Sequence, residues 1–137
     1  MRVATISHSC VIDVNQQIYA ELLKHSDVQL LPIAPRQWRS APRGSVTFAA
    51  LPDLAPHAIP LRARLAGRIH FHWYPDLGPT LTDFRPDIIY VDEEPYSVVT
   101  SQALLWRRRL GCKFALCTKQ NLLRRYPCPF SAMQARV

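Results

Sequence analysis

Asp92-Glu93-Glu94 stands where chemistry is commonly kept: directly after the apolar run Ile88-Ile89-Tyr90-Val91 and directly before Pro95-Tyr96-Ser97. A short β-branched and aromatic run suits a strand covered on both faces, as in a parallel sheet. Loops at the carboxyl ends of parallel strands form the ligand crevice of open α/β sheets, so the three carboxylates are expected to reach a site. Pro95 fits the first position of a helix, where its missing N–H costs nothing.

Other residue sets invite chemistry and are tested by what each mechanism needs. The acidic strand end could serve an ATPase only with a Gly-x-x-x-x-Gly-Lys-Ser/Thr loop, and Gly44, Gly67, Gly78 and Gly111 are the only glycines. None follows the first strand, which also removes a dinucleotide-binding Gly-x-Gly-x-x-Gly. His70 and His72 would share one face of a strand, a metal-compatible spacing, but no third ligand stands nearby in the sequence, so half-exposed strand residues are expected and no metal or cofactor. Cys112, Cys117 and Cys128 lack a Cys-x-x-Cys pair and read as buried small hydrophobes. Ser9 and Cys10 beside His8 suggest a nucleophile and base, yet adjacent residues rarely face one another and no nucleophile elbow is present, so an ordinary loop is expected. Arg36, Trp38, Arg39 and Arg43 combine fixed charge with an aromatic face, the means of holding phosphate or sugar.

These groups need elements to position them. Arg2 to Ser7 predicts a strand and Asn15 to His25 a helix, with Ile18, Tyr19, Leu22 and Leu23 on its apolar face and Asp13 or Asn15 as cap. Val28 to Ala34 predicts the next strand, completing a βαβ unit with parallel strands. A loop from Pro35 to Ser45 follows, then a strand at Val46 to Leu51 and an unassigned proline-rich stretch from Pro52 to Gly67. Arg68 to Trp73 reads as a strand, Leu81 to Phe84 as the close of a short helix, and Asp87 to Val91 as the strand before the carboxylates. Pro95 to Leu110 is the best helix, with Tyr96, Val99, Ala103, Trp106 and Leu110 as its stripe and Arg107, Arg108 and Arg109 complementing the dipole at its end. Gly111 suits a left-handed terminator, Lys113 to Thr118 another strand, Gln120 to Arg125 a helical turn, and Phe130 to Val137 the start of a helix.

The 137 residues carry 17 Lys and Arg against 10 Asp and Glu, a formal charge of +7. One α/β domain is expected, a Rossmann-like open and mostly parallel sheet flanked by helices and incomplete at its C-terminus. The charge admits anionic partners: nucleic acid, an anionic membrane surface or a phosphorylated small molecule. Nucleic acid is disfavoured because the arginines are scattered and no recognition motif occurs. No signal peptide or spanning run is visible, so a cytoplasmic location is the expectation, with free thiols.

Five segments taken together, Ile6-Ser7-His8-Ser9-Cys10-Val11, Asn15 to Leu22, Ile69-His70-Phe71-His72-Trp73-Tyr74-Pro75, Asp92 to Ser97 and Thr118-Lys119-Gln120-Asn121, resemble the N-terminal domain of family 4 glycosyltransferases over Met1 to Val137. The resemblance implies two Rossmann-like halves facing across a cleft, this one holding the sugar acceptor and a second, not contained in these residues, holding the nucleotide-sugar donor. It implies transfer with retention and without a bound metal, and an isolated chain that is inactive. Glu94 and Pro95 match the family's Glu-Pro turn, and Thr118, Gln120 and Asn121 match the loop beside the reacting sugar. With Glu93, Asn15 and Arg39 they form the expected acceptor-binding set. Relatives often carry a histidine after the strand that here reads Phe114 to Thr118; this chain has none there, so no catalytic histidine is carried over. A lipid-linked acceptor would bring peripheral contact with an anionic membrane. The alternative is a non-catalytic Rossmann-like module that binds a protein partner or an anionic surface.

Overall fold

The computed structural model describes residues 1–41, 44–119 and 126–136. Its centre is a five-stranded sheet of β1 (Arg2–Ile6), β2 (Gln29–Pro35), β5 (Ile59–Leu61), β6 (Ile88–Asp92) and β7 (Lys113–Cys117). Every pairing in it is parallel, in the order β5-β2-β1-β6-β7. Numbered along the chain among themselves, these strands run 3-2-1-4-5, so the winding reverses between β1 and β6, where Ile6 stands level with Val91. This is the topological switch point of an open α/β sheet.

Burial on both faces explains why the strands are apolar throughout. On one face Ala4, Ile6, Leu31, Ile33, Ile89 and Val91 pack under α2 (Leu77–Phe84) and α3 (Val98–Leu110). On the other, Val3, Leu30, Ala34 and Tyr90 pack with Tyr19 and Leu23 of α1 (Gln17–Leu23) and with Leu54. The helix expected from Asn15 to His25 is shorter than its pattern, because Asp13–Gln16 forms a 3₁₀ turn first and neither Asp13 nor Asn15 caps α1. Ile18 and Leu22, expected on the apolar face, are exposed; Tyr19 and Leu23 face the sheet.

The second helix expectation needs a similar correction. α3 begins at Val98, not Pro95, because Ser97 is the cap: its Oγ accepts the Thr100 N–H at 3.2 Å. Pro95 and Tyr96 form a buried turn instead. Gly111, at φ +67°, ends α3 in the left-handed conformation, with Arg107, Arg108 and Arg109 in the last turn.

Three expectations between β2 and α2 are overturned. The Pro35 to Ser45 loop is largely an antiparallel hairpin of β3 (Gln37–Ser40) and β4 (Gly44–Thr47), which also replaces the strand expected at Val46 to Leu51. A backbone bond from Arg36 N–H to the Leu61 C=O of β5 ties it to the main sheet, and one from Phe48 N–H to Arg36 C=O closes the open end of the hairpin. Arg68 to Trp73 is a series of turns, not a strand: the N–H groups of Phe71 and His72 both bond to the Arg68 carbonyl. The alternation that suggested a strand is real as burial, since Ile69, Phe71 and Trp73 are exposed while His72 and Tyr74 are buried. Period-two burial does not require a strand's hydrogen bonds. α4 (Phe130–Gln134) confirms a helical start near Phe130, and the turn expected at Gln120 to Arg125 lies outside the described residues.

The α2–α3 contact depends on Gly78. The Trp106 indole lies against its Cα, so an added Cβ would overlap the ring rather than a mobile side-chain end. Gly78→Ala is therefore expected to cost about 1–3 kcal/mol despite alanine's better helix propensity, because the overlap outweighs that gain. Thermal unfolding checks this, and an unchanged or raised midpoint would refute the packing argument.

Candidate functional site

The residues after β1 and β6 meet at the switch point. The Glu93 carboxylate is fully buried and is clamped by one residue, His8, whose backbone N–H donates to Oε1 at 2.7 Å and whose Nδ1 lies 2.7 Å from each carboxylate oxygen. The parallel register predisposes this: Ile6 is level with Val91, so two residues further on each strand bring His8 and Glu93 together. His72 approaches from the turn segment, its Nε2 at 3.7 Å from Glu93 Oε1, while its Nδ1 lies 2.8 Å from the Ile69 carbonyl. Trp38 of the hairpin covers both imidazoles, at ring-centroid distances of 4.7 Å to His8 and 4.8 Å to His72.

Around this cluster lies a cleft of about 180 Å³ lined by His8, Ser9, Ile69, Asp92, Glu93, Glu94, Cys117 and Lys119. Glu94 points to the other side of the strand end from Glu93, where its Oε2 accepts the Thr118 hydroxyl at 2.7 Å. Its carbonyl accepts the Thr100 hydroxyl at 2.9 Å, so the first turn of α3 holds the acidic loop in place. Asp92 accepts from Ser7 Oγ at 3.2 Å and pairs with exposed Lys119 at 3.4 Å.

The expected acceptor-binding residues divide accordingly. Glu93 and Glu94 line the cleft, and Thr118 is bonded to Glu94. Asn15 is turned to the loop after β1, where its Nδ2 donates to the Ser9 carbonyl at 2.9 Å. Arg39 lies across Trp38 in a separate cavity of about 820 Å³ that it shares with Arg36, Arg62 and Arg64. These four arginines are exposed, and among the described residues none of them forms an ion pair. Gln120, Asn121 and Arg43 lie outside the described residues.

Of the thiols expected to be buried, Cys112 is buried and Cys117 half-buried, while Cys128 is exposed because it lies on the surface turn before α4. Burial pushes the Cys10 thiol up to about 11, aided by the nearby Asp92 and Glu93 charges and opposed by a hydrogen bond with Ser7, so Cys10 is no nucleophile. Burial also holds His72 below the ordinary histidine range against the pull of the Glu93 carboxylate, so the neutral imidazole is favoured. Tyr74 packs edge-on to His72 and is driven far up, first by burial and then by the Glu93 charge.

The sequence reading that left His72 without a third ligand is corrected here: His8 and Glu93 stand beside it, and the three ligand atoms lie within 4.8 Å of one another. A residue immediately after β1 opposite one after β6 was the legible signal for the His8–Glu93 pair. His72 was legible only as a possible pair with His70; that its neighbours are His8 and Glu93 instead was not legible, because it sits on an irregular segment.

A scan against protein-family models finds no match, and no curated protein and no solved structure matches the chain either. Among the described residues, no helix is long and apolar enough to cross a membrane. The fold and the site geometry therefore carry the functional argument.

Proposed function

We propose that this chain is the acceptor-binding half of a two-lobed, retaining glycosyltransferase that moves a hexose from a nucleotide sugar to a glycan, lipid-linked or small-molecule acceptor. The observation that carries the reading is the Glu94–Thr118 pair at the switch-point cleft. A carboxylate and a hydroxyl held 2.7 Å apart at the ends of β6 and β7, the hydroxyl donating to the carboxylate, leave oxygen lone pairs that accept from the hydroxyls of a sugar. The resemblance of the acidic Glu-Pro turn and the Thr118 loop to family 4 enzymes supports the same assignment.

Transfer from a nucleotide sugar needs positive charge at the leaving diphosphate and close placement of the acceptor hydroxyl. In this reading the chain supplies the second requirement and a donor-binding lobe the first. Arg36, Arg39, Arg62 and Arg64 in the neighbouring cavity, which form no ion pair among the described residues, favour an acceptor that carries phosphate. For a lipid-linked acceptor, Arg107, Arg108 and Arg109 at the exposed end of α3 add attraction to an anionic membrane, about 1 kcal/mol per arginine at the surface.

The test joins this chain to its donor lobe and screens nucleotide-sugar consumption against candidate acceptors. Glu94→Gln is expected to lower kcat/KM about 10- to 100-fold, the worth of one charged hydrogen bond, while the chain alone turns nothing over. An unchanged kcat/KM counts against Glu94 as an acceptor ligand. Saccharide binding without consumption of any nucleotide sugar would instead favour the non-catalytic module.

A further inference from the structure

We propose that His8, His72 and Glu93 form a binding site for a divalent transition-metal ion of the zinc class, with His8 Nδ1, His72 Nε2 and a Glu93 carboxylate oxygen as its ligands. The site shares its cleft with the proposed acceptor residue Glu94, but the proposal does not rest on glycosyl transfer and its test reads metal rather than turnover.

The strongest pointer is His72. Its ring is fully buried, and its Nδ1 is 2.8 Å from the Ile69 carbonyl, an acceptor only, so Nδ1 carries the proton of the neutral ring. Nε2 then presents a lone pair. It is buried, has no hydrogen-bond partner among the described residues, and faces Glu93 Oε1 at 3.7 Å. A lone pair directed at a carboxylate is repulsive, and a cation between the two reverses the sign. Metal-ligating histidines characteristically donate their other N–H to a backbone carbonyl or carboxylate, which fixes ring orientation and tautomer, and Ile69 provides that contact.

The remaining ligands converge from two further segments. The Glu93 carboxylate and His8 Nδ1 are already in contact, and the three ligand atoms lie within 4.8 Å of one another. Two imidazoles and one carboxylate form a ligand set used by catalytic zinc, which leaves a fourth position for water or substrate. The fourth position opens at His8, whose side chain keeps 19% of its surface exposed at the cleft. Nitrogen donors disfavour calcium and magnesium, which take oxygen. Trp38 and Tyr74 pack against the imidazoles and supply an apolar outer shell.

The present contacts show what binding changes. Ligand atoms around a tetrahedral zinc, each about 2.0–2.2 Å from the metal, stand roughly 3.3–3.5 Å apart. The separations here are 2.7 Å between His8 Nδ1 and Glu93, 3.7 Å between His72 Nε2 and Glu93 and at most 4.8 Å between the two histidine nitrogens, so closing the site takes side-chain shifts of up to roughly an ångström. The proton His8 shares with Glu93 moves to Nε2, and the His8–Glu93 hydrogen bond becomes metal coordination. The ion would then tie the loops after β1 and β6 to the turn segment carrying His72.

The experiment uses the tag-free chain, stripped with chelator, dialysed and titrated with zinc chloride alone by calorimetry; bound metal is counted by mass spectrometry, and cobalt(II) serves as a visible-absorption probe. About one ion per chain is expected, with cobalt bands of low-coordinate intensity. His72→Gln and Glu93→Gln should each weaken binding at least about tenfold, while the exposed His25→Ala leaves it unchanged. Far-UV circular dichroism confirms that each variant is folded. Failure of the unaltered chain to retain zinc overturns the proposal without reference to any variant. Binding that survives both site variants, or that is abolished by Cys128→Ser, overturns it as well by assigning the metal elsewhere.

Discussion

Gln16→Ala is expected to destabilise the protein by about 3–5 kcal/mol, as much as truncating a large core side chain. The Gln16 side chain is buried and fully used: Nε2 donates to the Cys10 carbonyl at 2.8 Å and to the Ala49 carbonyl at 2.9 Å, and Oε1 accepts the Leu51 N–H at 2.9 Å. Alanine leaves three backbone groups without partners, each costing about 1–3 kcal/mol, with some recovered where water enters. For a chain of this length the unfolding midpoint should fall by about 10–20 °C. The loop after β1, held to the Ala49–Leu51 segment by this amide, should also exchange its amide hydrogens faster than the rest of the sheet. A drop equivalent to less than about 1 kcal/mol would show that the three bonds are not formed together.

The second large effect is at Glu93. Glu93→Ala removes the acceptor of both the His8 amide and His8 Nδ1 from a site with no side-chain exposure, and about 3–5 kcal/mol is expected from breaking such a buried pair. Glu93→Gln keeps an acceptor for the amide and should lose clearly less. Denaturant unfolding separates the two, because both should lower the midpoint concentration with the slope unchanged. Equal losses for alanine and glutamine would mean that the charge, rather than the hydrogen bonds, holds the strand ends together. The α3 cap is distant from this change, since Ser97 and Thr100 bond to each other and to the Glu94 carbonyl rather than to Glu93.

The parts legible in the sequence are those fixed by local chemistry. Ile88–Asp92 is a strand because its run is apolar and bounded, Gly111 ends a helix because it accepts a positive φ, and the carboxylates follow a parallel strand as expected. The helix that starts at Val98 rather than Pro95 shows a side-chain cap prevailing over a favourable proline. The hairpin was hidden because Gln37 to Ser40 holds one apolar residue, Trp38, whose burial comes from long-range contacts with His8 and His72. The surroundings of His72 were hidden for the same reason: its alternating neighbours mimic a strand while turns aim it inward. Local pattern located Glu93 and Glu94, but only the three-dimensional path showed that one carboxylate turns to two histidines and the other to Thr118.

Trp38 carries a further consequence. It is 6% exposed and touches both imidazoles, so its emission senses the electronic state of the rings beneath it. The sequence has two other tryptophans, Trp73 and Trp106, and replacing both by phenylalanine would leave Trp38 as the single tryptophan. The hairpin thus furnishes an intrinsic dye, through which occupancy at the strand ends can be followed in real time without a label.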